Sequence, residues 1–343
     1  MKKLIFSAIV GVVSLGAFAQ DVHFSSMDFS PLTLNPAMAG ANYDLQANVN
    51  YRTQWNSVAT PFQTIAASAD MRLNSNKRNT SGHLAAGINF FNDRAGQERI
   101  TTNNVNISLA YHLKMNQNNT IGLGIYSGFG QRSFDPNGGM WGSQYNGMNY
   151  DAELPSGETF NNASFSMFDA GAGLVYTYSE GESRMRSNDG LRINAGFAAY
   201  HVNRPDYSFI SDGAEQLYMR FSAFANASIG IGSTNMSLEP AIYTQFQGPA
   251  LEILMGTDYR ILINEGSKRT GNVKRTSIAI GGYYRNQDAV VARISMSYDG
   301  LTGGFAYDFN VSSLTVVSKA RGGAEFFLRW TMENPFSATR ARI

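Results

Sequence analysis

The chain has no cysteine. That removes disulfides, thiolate nucleophiles and thiolate-held zinc or iron–sulfur centres from consideration. Charge is scarce and of neither sign in excess, with 27 basic and 26 acidic side chains, so there is no basic field of the kind nucleic acids require. Past residue 20 no apolar run reaches the roughly 18 consecutive residues a membrane-crossing helix needs. His23, His83, His112 and His201 lie far apart and form no His-Glu-x-x-His pair, and no Gly-x-Ser-x-Gly elbow occurs. Gly122-Leu123-Gly124 lacks the following Lys-Ser or Lys-Thr of a phosphate loop. These absences point away from an enzyme, and no cofactor or metal is expected.

What the sequence does have begins with a leader. Lys2 and Lys3 precede the apolar stretch Leu4 to Phe18, and Ala17-Phe18-Ala19 supplies the small residues a signal peptidase accepts. Residues 1–19 therefore read as a signal peptide, with Gln20 as the mature start. Without Lys2 and Lys3 the mature chain is within one charge of neutral. The 34 Gly, 17 Tyr and 22 Phe suit curved strands with aromatic girdles at two membrane interfaces.

Short segments of period two recur along the rest of the chain, separated by Asn, Gly, Ser and Asp. In Val105 to Leu113 one face reads Val, Ile, Leu, Tyr, Leu and the other Asn, Ser, Ala, His. Ile121-Gly122-Leu123-Gly124-Ile125 sets three large apolar groups against two glycines. Leu251, Ile253, Met255 and Tyr259 oppose Glu252, Asp258 and Arg260. Ala292, Ile294, Met296 and Tyr298 oppose Arg293, and Phe326, Leu328 and Trp330 alternate with Phe327 and Arg329. Fourteen strands are predicted, at 43–54, 62–73, 82–93, 102–115, 119–131, 166–178, 189–202, 217–228, 236–246, 250–262, 274–286, 289–299, 301–309 and 321–331. Alternation alone also fits a soluble sandwich. Ionisable groups at mid-strand favour a barrel, whose apolar wall meets lipid while its charges face the lumen. The expected architecture is all-β: a transmembrane antiparallel barrel over 43–331 in the outer membrane, a short N-terminal periplasmic plug over 20–42 and a tail over 332–343.

Asn35-Pro36 before Ala37-Met38-Ala39-Gly40 reads as a turn or helical start, since Pro36 fixes φ and Gly40 permits a positive one. Phe24, Met27, Phe29, Leu32 and Leu34 need burial, so the segment is either a plug in the periplasmic mouth or an ordered leader into the first strand. Arg52 and Trp55 fall at the outer rim, the first able to pair with a luminal carboxylate, the second suited to the interface belt. Arg192, Arg260, Arg285, Arg293 and Arg329, with Glu252 and Asp258, are candidates for a charged ladder across the lumen. The stretch 132–165, with Trp141, Tyr145 and Tyr150, is the longest connection and is expected outside the cell. Candidate plug or partner-binding residues are thus Phe24, Phe29, Asn35, Pro36, Arg52, Trp55, Trp141, Tyr145 and Tyr150.

The run from Asp21 to Gly40, with Leu34-Asn35-Pro36-Ala37-Met38-Ala39-Gly40 at its end, resembles the mature N-terminus of the PorP/SprF family of Bacteroidota outer-membrane proteins. The resemblance continues through Tyr51-Arg52-Thr53-Gln54-Trp55, Asn92-Asp93-Arg94-Ala95-Gly96, Ala110-Tyr111-His112-Leu113, Gly282-Tyr283-Tyr284-Arg285, Gly304 to Ser312 and Gly323-Ala324-Glu325-Phe326. It covers nearly the whole mature chain. Ser26 departs from it, standing where the family commonly has Gln, and 132–165 carries no family signature. The resemblance implies a non-enzymatic component of the type IX secretion and gliding machinery. Its implied partner is either the C-terminal region of a secreted surface adhesin or the periplasmic machinery. An outer-membrane channel for small or apolar solutes is the alternative reading.

Overall fold

The computed structural model describes residues 21–332 except 57–59, 74–80, 97–98, 137, 152, 158–162, 181–189, 210–214, 233, 265–273 and 313–314. The leader 1–19 and residues 333–343 of the expected tail lie outside the described residues. Fourteen strands run in order: β1 (Leu45–Gln54), β2 (Phe62–Arg72), β3 (Gly82–Ala95), β4 (Ile100–Lys114), β5 (Asn119–Ser133), β6 (Ser164–Glu180), β7 (Leu191–Tyr200), β8 (Arg220–Gly230), β9 (Met236–Gln247), β10 (Ala250–Asn264), β11 (Thr276–Arg285), β12 (Ala289–Tyr298), β13 (Leu301–Asn310) and β14 (Arg321–Met332). Each pairs antiparallel with its sequence neighbour. β1 pairs with β14 from Leu45↔Met332 to Gln54↔Gly323, which closes the barrel and leaves no edge. Met332, counted with the tail in the sequence reading, ends the last strand. The largest shift is in β8, which begins at Arg220 rather than 217. Leu217 instead donates its N–H to Pro205 O in the preceding loop.

The two faces follow the sequence alternation. Val49, Ile107, Leu109, Ile294 and Phe326 are exposed, while Gln46, Asn48, Asn50, Asn106, Ser108 and Arg293 are buried. The wall is therefore apolar outside and polar inside, the inverse of a soluble protein and the arrangement lipid demands.

A barrel of about eight strands fills with its own side chains, whereas a wider one leaves space inside. Here the space is taken by the segment before β1. Met27–Phe29, Pro31–Leu34 and Pro36–Met38 form three successive helical turns, the last two with Pro at their starts. The Asn35 side chain accepts from Ala37 N at 2.8 Å, capping the third turn, and Gly40 ends it at φ +62°. Met27, Phe29, Leu34, Ala37 and Met38 pack with inward-facing Val175, Phe224, Tyr243, Leu254, Tyr283 and Phe327 into the main apolar cluster. Leu32 and Ala39 make a second with Ala85 and Ala110.

The wall is shaped to receive this chain. At Gly173 and Gly196 the sheet has no side chain, so the Asn35 amide reaches the backbone and donates to Leu174 O at 3.0 Å and Phe197 O at 3.1 Å. A Cβ at Gly173 would lie 2.1 Å from Asn35 Oδ1. Gly173→Val is expected to unseat the segment and cost about 1–3 kcal/mol as overpacking. Gly282→Ala, where a Cβ meets nothing within 4 Å, should be silent. The midpoint of urea unfolding, followed by the mobility shift of unheated barrel on gels, distinguishes them.

Candidate functional site

The two longest connections, 134–163 and 201–219, join strands at one mouth, which also holds the turns at 248–249 and 286–288; the connections 73–81, 181–190 and 265–275 join strands at the other. The opposite mouth carries the start of β1 and the end of β14. The N-terminal segment runs between them. Asp21 sits beside His201, just past β7, and Gln247, at the end of β9, which is the loop-bearing mouth. Gly40 sits beside Arg72, at the end of β2, and His83, at the start of β3, which is the other. The expected cap of one mouth is thus a thread through the whole lumen, because its apolar residues find partners along the full length of the wall.

Three sets of inward-facing polar groups hold the thread. Near the loop mouth, the Glu325 carboxylate accepts from Ser25 N at 2.6 Å and Ser26 N at 3.1 Å. The Ser25 hydroxyl accepts from Arg52 Nη1 and Arg285 Nη2, both at 2.7 Å, and donates to Asp308 at 2.7 Å. Arg52 and Arg285 share Asp308 at 2.8 and 3.0 Å, and Arg285 Nε lies 3.4 Å from Glu252. These five charged groups are buried or nearly so, and enclosure is tolerable because each is paired. Ser26, the departure from the family pattern, contributes its backbone N–H, and its own buried hydroxyl has no partner among the described residues.

At mid-barrel Arg293 binds Asp258 and also Asp28 of the thread, while Tyr283 donates to Asp258 at 3.0 Å. Arg329 contacts the Asp28 carbonyl, donates from Nε to Asn48 Oδ1 at 2.8 Å, and lies 4.3 Å over the Phe29 ring. At the far mouth Asp70, bound by Gln46, accepts from Gly40 N at 2.7 Å, and Arg72 donates to Gly40 O at 2.7 Å. His112 Nε2 sits 2.7 Å from Ala39 O.

A fourth anchor holds the thread's outer end. His201 lies between Asp21 (2.6 Å) and Asp169 (2.9 Å), and Tyr126 donates to Asp169 at 2.6 Å. Its left-handed backbone, φ +56°, accompanies the reversal of the chain after β7. Burial pulls the His201 imidazole down, but the two carboxylates outweigh it and hold the pKa up to about 9. Burial pushes Asp21 up, yet His201 and Arg220 hold it well below the usual carboxylate range.

Above Asp21–His23 a cavity of about 450 Å³ opens at the loop mouth, its wall including Trp55, Phe62, Phe91, Arg132, Met167 and Tyr207. The residues singled out from sequence divide accordingly. Phe24, Phe29, Asn35 and Pro36 are buried in the lumen and Arg52 pairs with a luminal carboxylate. Trp55, assigned to the lipid interface, instead lines this vestibule with its ring 4.7 Å from Phe62, since its left-handed φ of +59° breaks the strand alternation. Trp141, Tyr145 and Tyr150 form a separate hairpin in the β5–β6 loop, bridged Tyr145↔Tyr150. Of the charged ladder, Arg285 and Arg293 meet Glu252 and Asp258. Arg260 pairs with Glu239 at 2.7 Å instead, and Arg192 stands exposed. Sequence reading missed Ser25, Asp308 and Glu325, although the inward parity that picked out Arg293 picks out both acids on β13 and β14. Among the described residues no group of three or more His, Asp or Glu could hold a metal.

Fold and site together define a class, an outer-membrane β-barrel whose lumen is threaded by its own N-terminal segment. The chain belongs to the PorP/SprF family: the family described as type IX secretion system membrane protein PorP/SprF matches residues 16–330. It is an outer-membrane protein. No curated protein matches the chain. Among solved structures it is similar to BamA from Haemophilus ducreyi lacking POTRA domains 1-3, at 9% identity over 85% of this chain and 71% of that one, TM-score 0.43. It is also similar to CdiB from Acinetobacter baumannii, at 9% identity over 84% of this chain and 60% of that one, TM-score 0.42. OprB from Pseudomonas putida gives 9%, 84%, 93% and 0.37 respectively.

Two outcomes are expected. Asp308→Ala leaves Arg52 and Arg285 buried around a missing carboxylate and should cost about 3–5 kcal/mol, read as a fall in the urea midpoint; an unchanged midpoint contradicts the pairing. The outer anchor should depend on pH. The His201 contribution is complete below 6.5 and fades as pH rises through about 9, and that of Asp21 is lost as pH falls below 3.8. The thermal midpoint should therefore drop between about pH 6 and about pH 10, and His201→Gln should flatten that drop.

Proposed function

We propose that this barrel serves the type IX secretion machinery as a docking component, reached by export on residues 1–19 and anchored by the closed wall. The observation that carries this reading is the threaded lumen. Its central passage is occupied by residues 24–40, held to the wall by hydrogen bonds and ion pairs at Ser25, Asp28, Asn35 and Gly40, so the surfaces open to another molecule are the mouths. The mouth with the two longest connections, 134–163 and 201–219, is the external one by the usual asymmetry of such barrels. There the β5–β6 loop exposes Met148 (86%), Met140 (64%) and Tyr145 (58%), side chains of the type that anchor protein interfaces. This favours a secreted surface protein, through the C-terminal region of an adhesin, over a periplasmic partner.

A second reading is a route for small or apolar solutes. The vestibule of about 450 Å³ favours it, with the thread as the barrier that must yield. The two differ in planar bilayers and in native membranes. Docking predicts no steady conductance from the purified barrel and recovery of a surface protein by a photo-crosslinker at Tyr145. Steady conductance or solute flux without any such crosslink favours the channel and contradicts docking.

A further inference from the structure

Three guanidinium groups face the vestibule, and two of them are used internally: Arg52 and Arg285 share Asp308. Arg132 is different. It stands near the end of β5 with its guanidinium 4.3 Å over the Tyr207 ring, and its buried Nε has no hydrogen-bond acceptor among the described residues. Among the described residues no carboxylate comes within ion-pair distance of it. The nearest acid in register is Asp93 of β3, separated from Arg132 by Thr102 of β4 and itself engaged by the Thr64 hydroxyl at 2.6 Å.

A half-enclosed guanidinium with unused donors is a site for a planar anion, which it can grip through two parallel hydrogen bonds. One part of the surrounding wall is apolar and aromatic, through Trp55, Phe62, Phe91, Met167 and Leu217, while the rest is polar and includes Asp21, Asp93, Asp288 and Asp308. Its volume falls within the roughly 300–1,000 Å³ usual for ligand pockets. Asp93, with no cation in ion-pair range among the described residues, disfavours a second negative charge on whatever binds. The floor is the thread itself at Asp21–His23.

We propose that the vestibule binds an organic monoanion, its carboxylate on Arg132 and its apolar body against Trp55, Phe62, Phe91 and Met167. Two sources offer that chemistry, a free small carboxylic acid and the C-terminal carboxylate of an apolar peptide. The site is defined by the vestibule wall and holds whichever of the two functional readings is correct.

The test uses the intact mature barrel in a zwitterionic detergent, titrated by calorimetry with phenylbutyrate and with the tripeptide Ala-Leu-Phe. Phenylbutanol and the tripeptide amide are the neutral counterparts. At least one carboxylate should bind, and its neutral counterpart should bind about tenfold or more weakly. Arg132→Gln should reduce the carboxylate to the level of the neutral compound, while Arg192→Gln, at the opposite mouth, should change nothing. Binding of phenylbutyrate alone assigns a small acid, binding of the tripeptide alone assigns a chain end, and either supports the site. Failure of both carboxylates to bind overturns the proposal, as does equal binding of the neutral forms. If Arg132→Gln does not fold, the comparison of acid with amide on the native protein decides the matter alone.

Discussion

Everything in this molecule depends on one constraint: a strand crossing lipid must present apolar side chains outward, which sends its polar ones into the lumen. In fourteen strands that gathers arginines and carboxylates in a space too wide for the wall to fill. Water could satisfy such groups, but the protein uses its own chain. The segment from Ser25 to Gly40 brings backbone N–H and carbonyl groups, one serine hydroxyl and the Asp28 carboxylate to the wall's charges. It also brings Phe29, Leu34 and Met38 to its few apolar insertions. The thread and the luminal polar groups are therefore mutual requirements.

The division of labour follows from packing. Around Asn35 the wall retreats to glycine so that a side-chain amide can meet sheet carbonyls, giving a fixed register between thread and barrel. Around Ser25 the wall does the opposite, extending Arg52, Arg285, Asp308 and Glu325 toward a small residue. A larger side chain at 25 would displace the two guanidiniums that converge on its oxygen. Towards the loop mouth the thread thins to Asp21–His23, and the lumen opens into a vestibule that offers a foreign molecule both charge and aromatic surface.

Much of this was legible in the sequence, for definite reasons. Period-two alternation is a local property, so the strands and the faces of Arg293, Asp258 and Arg329 could be read directly. Asn35-Pro36 and Gly40 announced a turn because proline and glycine restrict backbone geometry in known ways. The family resemblance rested on short runs whose order is kept along the chain. What could not be read was the length of lumen the thread spans, since contacts such as Ser25 to Glu325 join residues hundreds of positions apart. Trp55 was misplaced because a left-handed residue at a strand end reverses the facing that alternation implies. The roles of Trp141, Tyr145 and Tyr150 belong to an irregular loop with no periodicity to interpret.

The central claim is that the N-terminal segment threads the barrel with its start at the loop-bearing, outward mouth and its end at the opposite one. The absence of native cysteine makes a direct measurement available: single variants Val22→Cys and Ala41→Cys, treated on intact cells with a membrane-impermeant maleimide. The threaded arrangement predicts labelling at position 22 and protection at position 41. Protection at 22 together with labelling at 41 would contradict it.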